Sequence, residues 1–209
     1  MSDSSGLHPG GRSGIDVSAI VRDALASPHA DLVTRPTGRA VREAIEARIA
    51  PSRPPVSVSL VDFTRVRVID FSCADEVVAG LLLRHLPPGR PRDAFFLFRA
   101  VEEVHGHAVG EVLARHGLAA VCAFGDGRFR LVGSASRGER AAWSVLERRE
   151  RIRHCDSASL LGPGGRALLG RLCERRLAYR DSAGGSAALT ALARTLRDRD
   201  PPGSQRSAQ

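Results

Sequence analysis

Val56-Ser57-Val58-Ser59-Leu60-Val61-Asp62-Phe63, then Val66 to Phe71, then Ser72-Cys73-Ala74-Asp75-Glu76-Val77-Val78: this stretch decides the fold. Val56, Val58 and Leu60 alternate with Ser57 and Ser59, the period-two pattern of a strand with one buried face. A second β-rich run follows at Val66 to Phe71. The period then changes, because Ala74, Val77, Val78, Leu81 and Leu82 fall on one face of a helix. Ser72 with Asp75 three residues later has the form of a capping box at that helix's start. A strand feeding a helix is the unit from which layered α/β folds are built.

Working outward, the same alternation continues. Val41, Ile45 and Ile49 recur every four residues, a helix that Thr37 can cap and that Pro51, Pro54 and Pro55 end. The breaker Pro87-Pro88-Gly89 precedes a short apolar strand, Ala94 to Phe98. Val101 to His116 reads as a helix closed by Gly117. Leu118 to Phe124, the turn Gly125-Asp126-Gly127, and Arg128 to Val132 form an expected β-hairpin. Strands alternating with helices over 37–124 predict an α/β layer structure. The segment from Ile15 to Ala26 is mixed, and its type stays open.

The charge then shifts. The chain has 209 residues and no lysine, so its net charge of +8 rests entirely on arginine. Residues 1–127 hold 14 Arg and 15 Asp/Glu, whereas residues 128–209 hold 17 Arg and 8 Asp/Glu. That asymmetry predicts two units with different surfaces, the second suited to polyanions. Ser136 with Glu139 opens a helix carrying Ala142, Trp143, Val145 and Leu146 inward. A short helix can start at Asp156, and Pro163 suits the first turn of another, with Leu168, Leu169, Leu172 and Cys173 as its inner face. Leu177 to Arg180, a turn at Gly184-Gly185, and Ala187 onward predict a hairpin. Three helices followed by a hairpin is the order of a winged helix.

Leu32-Val33-Thr34-Arg35 and its following helix, Val58 to Phe63, Val66, Ile69 and Ala74-Asp75-Glu76-Val77 together resemble the STAS-like family of unknown function, related to the sulfate-transporter and anti-sigma-antagonist fold. The resemblance covers 32–86 and weakens towards 124. It implies a bacterial-type signalling module, a STAS-like mixed sheet with helices, that binds other proteins and carries no enzyme activity. Anti-sigma antagonists have a phosphorylatable residue in a segment like Asp-Ser-Ser-Gly. Laid on this chain, Asp70 keeps the acid and Ser72 takes the phosphoacceptor position, while Phe71 and Cys73 depart from the pattern. The plain alternative is that Ser72 is only the helix cap.

The expected organisation is therefore a leader at 1–14, a STAS-like α/β domain at 15–133, a mostly helical winged-helix-like domain at 136–197 and a tail at 198–209. The expected function is regulation by protein–protein binding. The alternative is a DNA-binding transcriptional regulator using Arg166, Arg171, Arg175, Arg176 and Arg180, since arginine supplies phosphate contacts and reads guanine. Against DNA reading, Pro163, Gly164 and Gly165 stand where base-reading side chains belong. A small-molecule-binding STAS-like domain is a third reading. Glu103, His107 and Glu111 share a helix face at metal-binding spacing, but that composition is equally a solvated face, and no cofactor or metal is assigned. No Gly-Lys-Ser/Thr loop, Gly-x-Ser-x-Gly elbow or His-Glu-x-x-His is present. Cys73, Cys122, Cys155 and Cys173 are too scattered for a disulfide framework or zinc knuckle. No apolar run reaches the roughly 20 residues a membrane span needs, and Met1 to Gly14 lacks a signal-peptide pattern. The expected compartment is the cytoplasm.

Overall fold

In a computed structural model the described residues are 11–25, 31–49, 56–86, 93–99 and 103–199. The proline breakers at 51–55 and 87–89, the start of the leader and Glu102 lie outside them. A five-stranded sheet runs in the order β1 (Gly11–Asp16), β3 (Val56–Asp62), β5 (Asp93–Arg99), β6 (Ala119–Ala123), β7 (Phe129–Gly133). The first four strands are mutually parallel and β7 is antiparallel to β6. The molecule is thus α/β with a mixed sheet. A two-stranded parallel ladder, β2 (Asp31–Leu32) with β4 (Val68–Ile69), lies apart from it.

Parallel neighbours need crossovers, and helices supply them. They are α1 (Val17–Leu25), α2 (Arg35–Ile49), α5 (Glu103–Arg115) and one composite helix. The composite begins as α3 (Phe71–Ala74), widens to a π-helical segment at Asp75–Gly80 and ends as α4 (Leu81–His85). These helices cover one face of the sheet, burying Val61, Phe96, Phe98, Ala120 and Cys122 against Val41, Ile45, Val77, Leu81 and Leu113. Gly38 is required where α2 crosses α3, since a Cβ there would stand 2.9 Å from the Cys73 Cα.

The opposite face meets the second half of the chain. This comprises α6 (Arg137–Arg149), β8 (Arg151–Ile152), a 3-10 turn (His154–Asp156), α7 (Ser157–Leu161), α8 (Gly165–Glu174), β9 (Ala178–Arg180), β10 (Ser186–Ala188) and α9 (Leu189–Arg199). The small strands pair antiparallel in the order β8-β10-β9. Val56, Val58, Leu60, Phe95, Leu97, Ala119, Val121 and Leu131 of the sheet join Trp143, Leu146, Leu172, Leu177, Leu189 and Leu192 in one apolar core. Helix α9 packs against β1, β3 and β5. The expected boundary at 133–136 therefore separates two stretches of chain that share a core, because the sheet has two apolar faces and each half covers one.

Several sequence expectations need correction. β3 is buried on both sides, with Ser57 and Ser59 inside, so its alternation sorts residues between two cores rather than between core and water. Gly11 to Gly14, assigned to the leader, form the start of β1, held by its ladder to β3. The run Val66 to Phe71 contributes only the two-residue β4. Helix α2 begins at Arg35, ahead of Thr37, and α8 begins at Gly165 with Gly164 as its cap residue, past Pro163. The chain continues beyond the hairpin as α9 through Arg199, so Asp198 belongs to a helix and not to a tail.

Candidate functional site

The first candidate region forms where β4 passes into α3. Asp70 is extended (φ −84°, ψ 168°) and caps the helix, its Oδ1 accepting from the Cys73 amide at 2.7 Å. The same oxygen accepts the Ser72 hydroxyl at 2.9 Å, and Oδ2 accepts the Thr34 amide at 3.0 Å. One carboxylate thereby ties the end of β4, the first turn of α3 and the turn after β2. Burial raises the Asp70 carboxyl, but the donors from Thr34, Cys73 and Ser72 outweigh it and hold the group below its ordinary range. Ser72 is consequently not the cap and Asp75 closes no capping box with it. Ser72 lies half-buried in the first helical turn, its hydroxyl directed to Asp70. Cys73 donates to the Thr34 carbonyl at 2.8 Å, and burial, with the Asp70 charge, pushes its thiol up to about 12.

Charged groups surround this junction. Asp75 accepts from Arg35 at 2.9 Å and lies 2.7 Å from the His116 ring, and the hydrogen bonds from both overcome burial to lower its carboxyl. Arg42, buried between α2 and the π-helical segment, contacts Glu46 at 3.2 Å and Glu76 at 3.5 Å. Beside these paired charges the surface is apolar. Val33, Val68 and Phe71 are each more than 40% exposed, and among the described residues only Leu83 joins them as an exposed large apolar side chain. Val68 opens β4, paired with Asp31, while Val33 follows β2 and Phe71 opens α3.

The second region is the arginine-rich face of the C-terminal half, where the five predicted arginines separate by role. Arg175 donates to Glu139 at 3.1 Å, to the Gly117 carbonyl at 3.1 Å and to the Ser134 carbonyl. It is an internal staple. Arg176 places its guanidinium 5.3 Å from the Phe95 ring centre. Arg171 stands half-exposed, 4.0 Å from Glu139. Arg166 and Arg180 are exposed and line a cleft of about 420 Å³ between α8 and the β9–β10 turn.

Sequence reasoning missed the residues that build this cleft. Asp181 is buried, its Oδ1 accepting the Gly185 amide at 2.8 Å while Arg151 approaches its other oxygen at 2.6 Å. That anchors the turn to β8. His154 lines the cleft from the 3-10 turn. The clue was Asp-Ser-Ala-Gly-Gly, a turn sequence whose acid can cap its own amides.

Of the three residues grouped on α5, the Glu103 side chain lies outside the described ones. His105 is buried with Nε2 3.2 Å from the Arg67 carbonyl, His107 meets Phe71 edge-on, and His116, just beyond the helix, pairs with Asp75. Among the described residues no three His, Cys, Asp or Glu side chains group to hold a metal, and no helix is long and apolar enough to cross a membrane. Set against protein-family models, curated proteins and solved structures, the chain matches none of them.

Proposed function

We propose that the chain is a non-enzymatic, bacterial-type regulatory protein that binds a protein partner through a STAS-like unit coupled to a winged-helix-like unit. The observation that carries this reading is that, among the described residues, three of the four exposed large apolar side chains, Val33, Val68 and Phe71, belong to the β2–β4 ladder and the residues that directly follow its strands. Exposed apolar side chains that cluster mark interaction surfaces, whereas scattered ones mean little. The coupling rests on the shared core, since α9 packs directly on β1, β3 and β5. Support for the winged-helix likeness is the element order from α6 to β10 and the strand order β8-β10-β9.

Ser72 is the regulated position in this proposal. A phosphate there would face the Asp70 carboxylate that now accepts its hydroxyl, 2.9 Å away, and would loosen the helix start beside Phe71 by like-charge repulsion. The test uses the whole chain as bait. Phe71→Asp and Val68→Asp should each lose a protein that the wild type captures, with the thermal midpoint unchanged. If every captured protein is retained by both variants, the surface is wrongly placed.

A second reading, DNA binding, is favoured by the exposed Arg166, Arg171 and Arg180. Arg175 and Arg176 are engaged internally, so at most about three of the five arginines reach phosphates. A slope of log affinity against log salt near −3 is then the ceiling for these residues, at about −0.9 per phosphate. Arg171→Ala should reduce it by about one unit. Absence of binding to any duplex at low salt leaves protein binding alone.

A further inference from the structure

We propose that the cleft between α8 and the β9–β10 turn is a binding site for a small organic phosphate, a ligand with one phosphate group on an apolar body. This goes beyond the protein-binding reading and does not depend on it.

Charge, shape and preorganisation all point the same way. The cleft, about 420 Å³, lies within the range of pockets that hold small molecules. Its lining includes Arg166, Arg180 and His154 and no carboxylate. The nearest wing acid, Asp181, is already occupied by the Gly185 amide and by Arg151, so it does not neutralise the site. Arg166 has no hydrogen-bond or ion-pair partner among the described residues.

Arg166 on α8 and Arg180 at the end of β9 both line this cleft. A Cβ at Gly170 would stand 3.7 Å from the terminal nitrogen of Arg180, so Arg180 reaches across the cleft to that position. Residue 166 is one turn away on the same face, since positions four apart are helix neighbours. Two forks lining one cleft can hold different oxygens of one tetrahedral anion. The rest of the lining includes the apolar Ile152, Ala167 and Leu169 beside the hydroxyls of Ser157 and Ser186. Two cations in a partly apolar cleft suit an organic phosphate better than bare inorganic phosphate, which has no apolar part to bury.

The turn carrying Arg180 is fixed before any ligand arrives. The Asp181 amide donates to the Gly185 carbonyl at 3.0 Å and the Gly184 amide to the Asp181 carbonyl at 3.0 Å. A site already ordered in this way avoids part of the entropy cost of binding.

Phenyl phosphate is the probe, titrated into the full chain labelled with 15N-arginine and followed through the arginine Nε–Hε resonances. The expected result is a saturable shift at Arg166 and Arg180, and none with benzyl alcohol, which lacks the anion. Arg166→Ala and Arg180→Gln should each weaken binding by about tenfold, the loss of a charge-assisted hydrogen bond at an exposed site. Ala167→Phe, at an exposed position lining the cleft, should abolish the shift by filling it while leaving the thermal midpoint unchanged. No saturable shift, or a shift that survives both Arg166→Ala and Ala167→Phe, overturns the proposal. A 20-base-pair duplex that shifts these two resonances when phenyl phosphate does not overturns it in favour of backbone phosphates. Partner capture by Phe71→Asp reads a different surface, so failure of one reading is distinguishable from failure of the other.

Discussion

The helix that starts after β4 and the helix that starts after β7 satisfy the same four unpaired amides in different ways. At α6, Ser136 and Glu139 exchange bonds: the Glu139 amide donates to Ser136 Oγ at 3.1 Å and Glu139 Oε2 accepts the Ser136 amide at 2.8 Å. Glu139 also accepts Arg175, so a local cap is fastened to α8. At α3 a single carboxylate, Asp70, does the capping and reaches a different element through the Thr34 amide. Asp75, three residues beyond Ser72, is one methylene shorter than a glutamate and is held by Arg35 and His116. The reciprocal box wins where the acid is long and free to fold back. A preceding aspartate wins where a strand delivers it in extended geometry and other charges hold the later acid.

This difference can be broken by substitution. The largest effect is expected for Glu139→Ala, at about 3 kcal/mol by chemical denaturation, because it removes the return bond and leaves Arg175 without its carboxylate. Asp70→Ala should cost about 2 kcal/mol, since three donors lose one acceptor. A loss at Asp70 equal to or below that of an ordinary surface change would mean that another group caps α3.

Acidity sharpens the comparison. The Asp70 and Glu139 carboxyls both lie below their ordinary values of 3.8 and 4.5 in the folded chain. For both, burial raises the value and hydrogen bonds more than reverse it: from Thr34, Cys73 and Ser72 at Asp70, and from Ser136 and Arg175 at Glu139. Groups depressed in this way contribute stability above their unfolded pKa and lose it as pH falls through the folded pKa. The gap between the wild type and each variant should therefore be full near pH 7 and shrink below about pH 4, within the window that depressed carboxyls set. A gap that widens on acidification would show the sign to be wrong.

Smaller effects complete the series. Ser136→Ala should cost about 1 kcal/mol, the usual loss for a cap side chain. Ser72→Ala should cost about 0.5 kcal/mol, because only its bond to Asp70 is lost. If Ser72→Ala proves as costly as Ser136→Ala, the two serines play the same role and the contrast between the helix starts fails.

The α/β class, the helix with its Val41-Ile45-Ile49 stripe, the hairpin around Gly125-Asp126-Gly127, the capping box at Ser136 and the hairpin at Gly184-Gly185 were all legible from sequence. Each rests on interactions within a few residues, which periodicity and turn chemistry report directly. Other features depend on partners far along the chain. The second buried face of β3 was invisible because Ser57 and Ser59 look solvent-facing until the folded chain buries them. Strand β1 has no pattern of its own and exists through its ladder to β3. The sorting of the arginines followed the same rule. Composition placed an excess of positive charge after residue 127, but only the fold could set Arg175 against Glu139 and Arg176 over Phe95, leaving Arg166 and Arg180 at a cleft. Local backbone preference is written in neighbouring residues. Which side chains are engaged and which remain available is decided by contacts across tens of residues, and those form only when the sheet has brought both halves of the chain together.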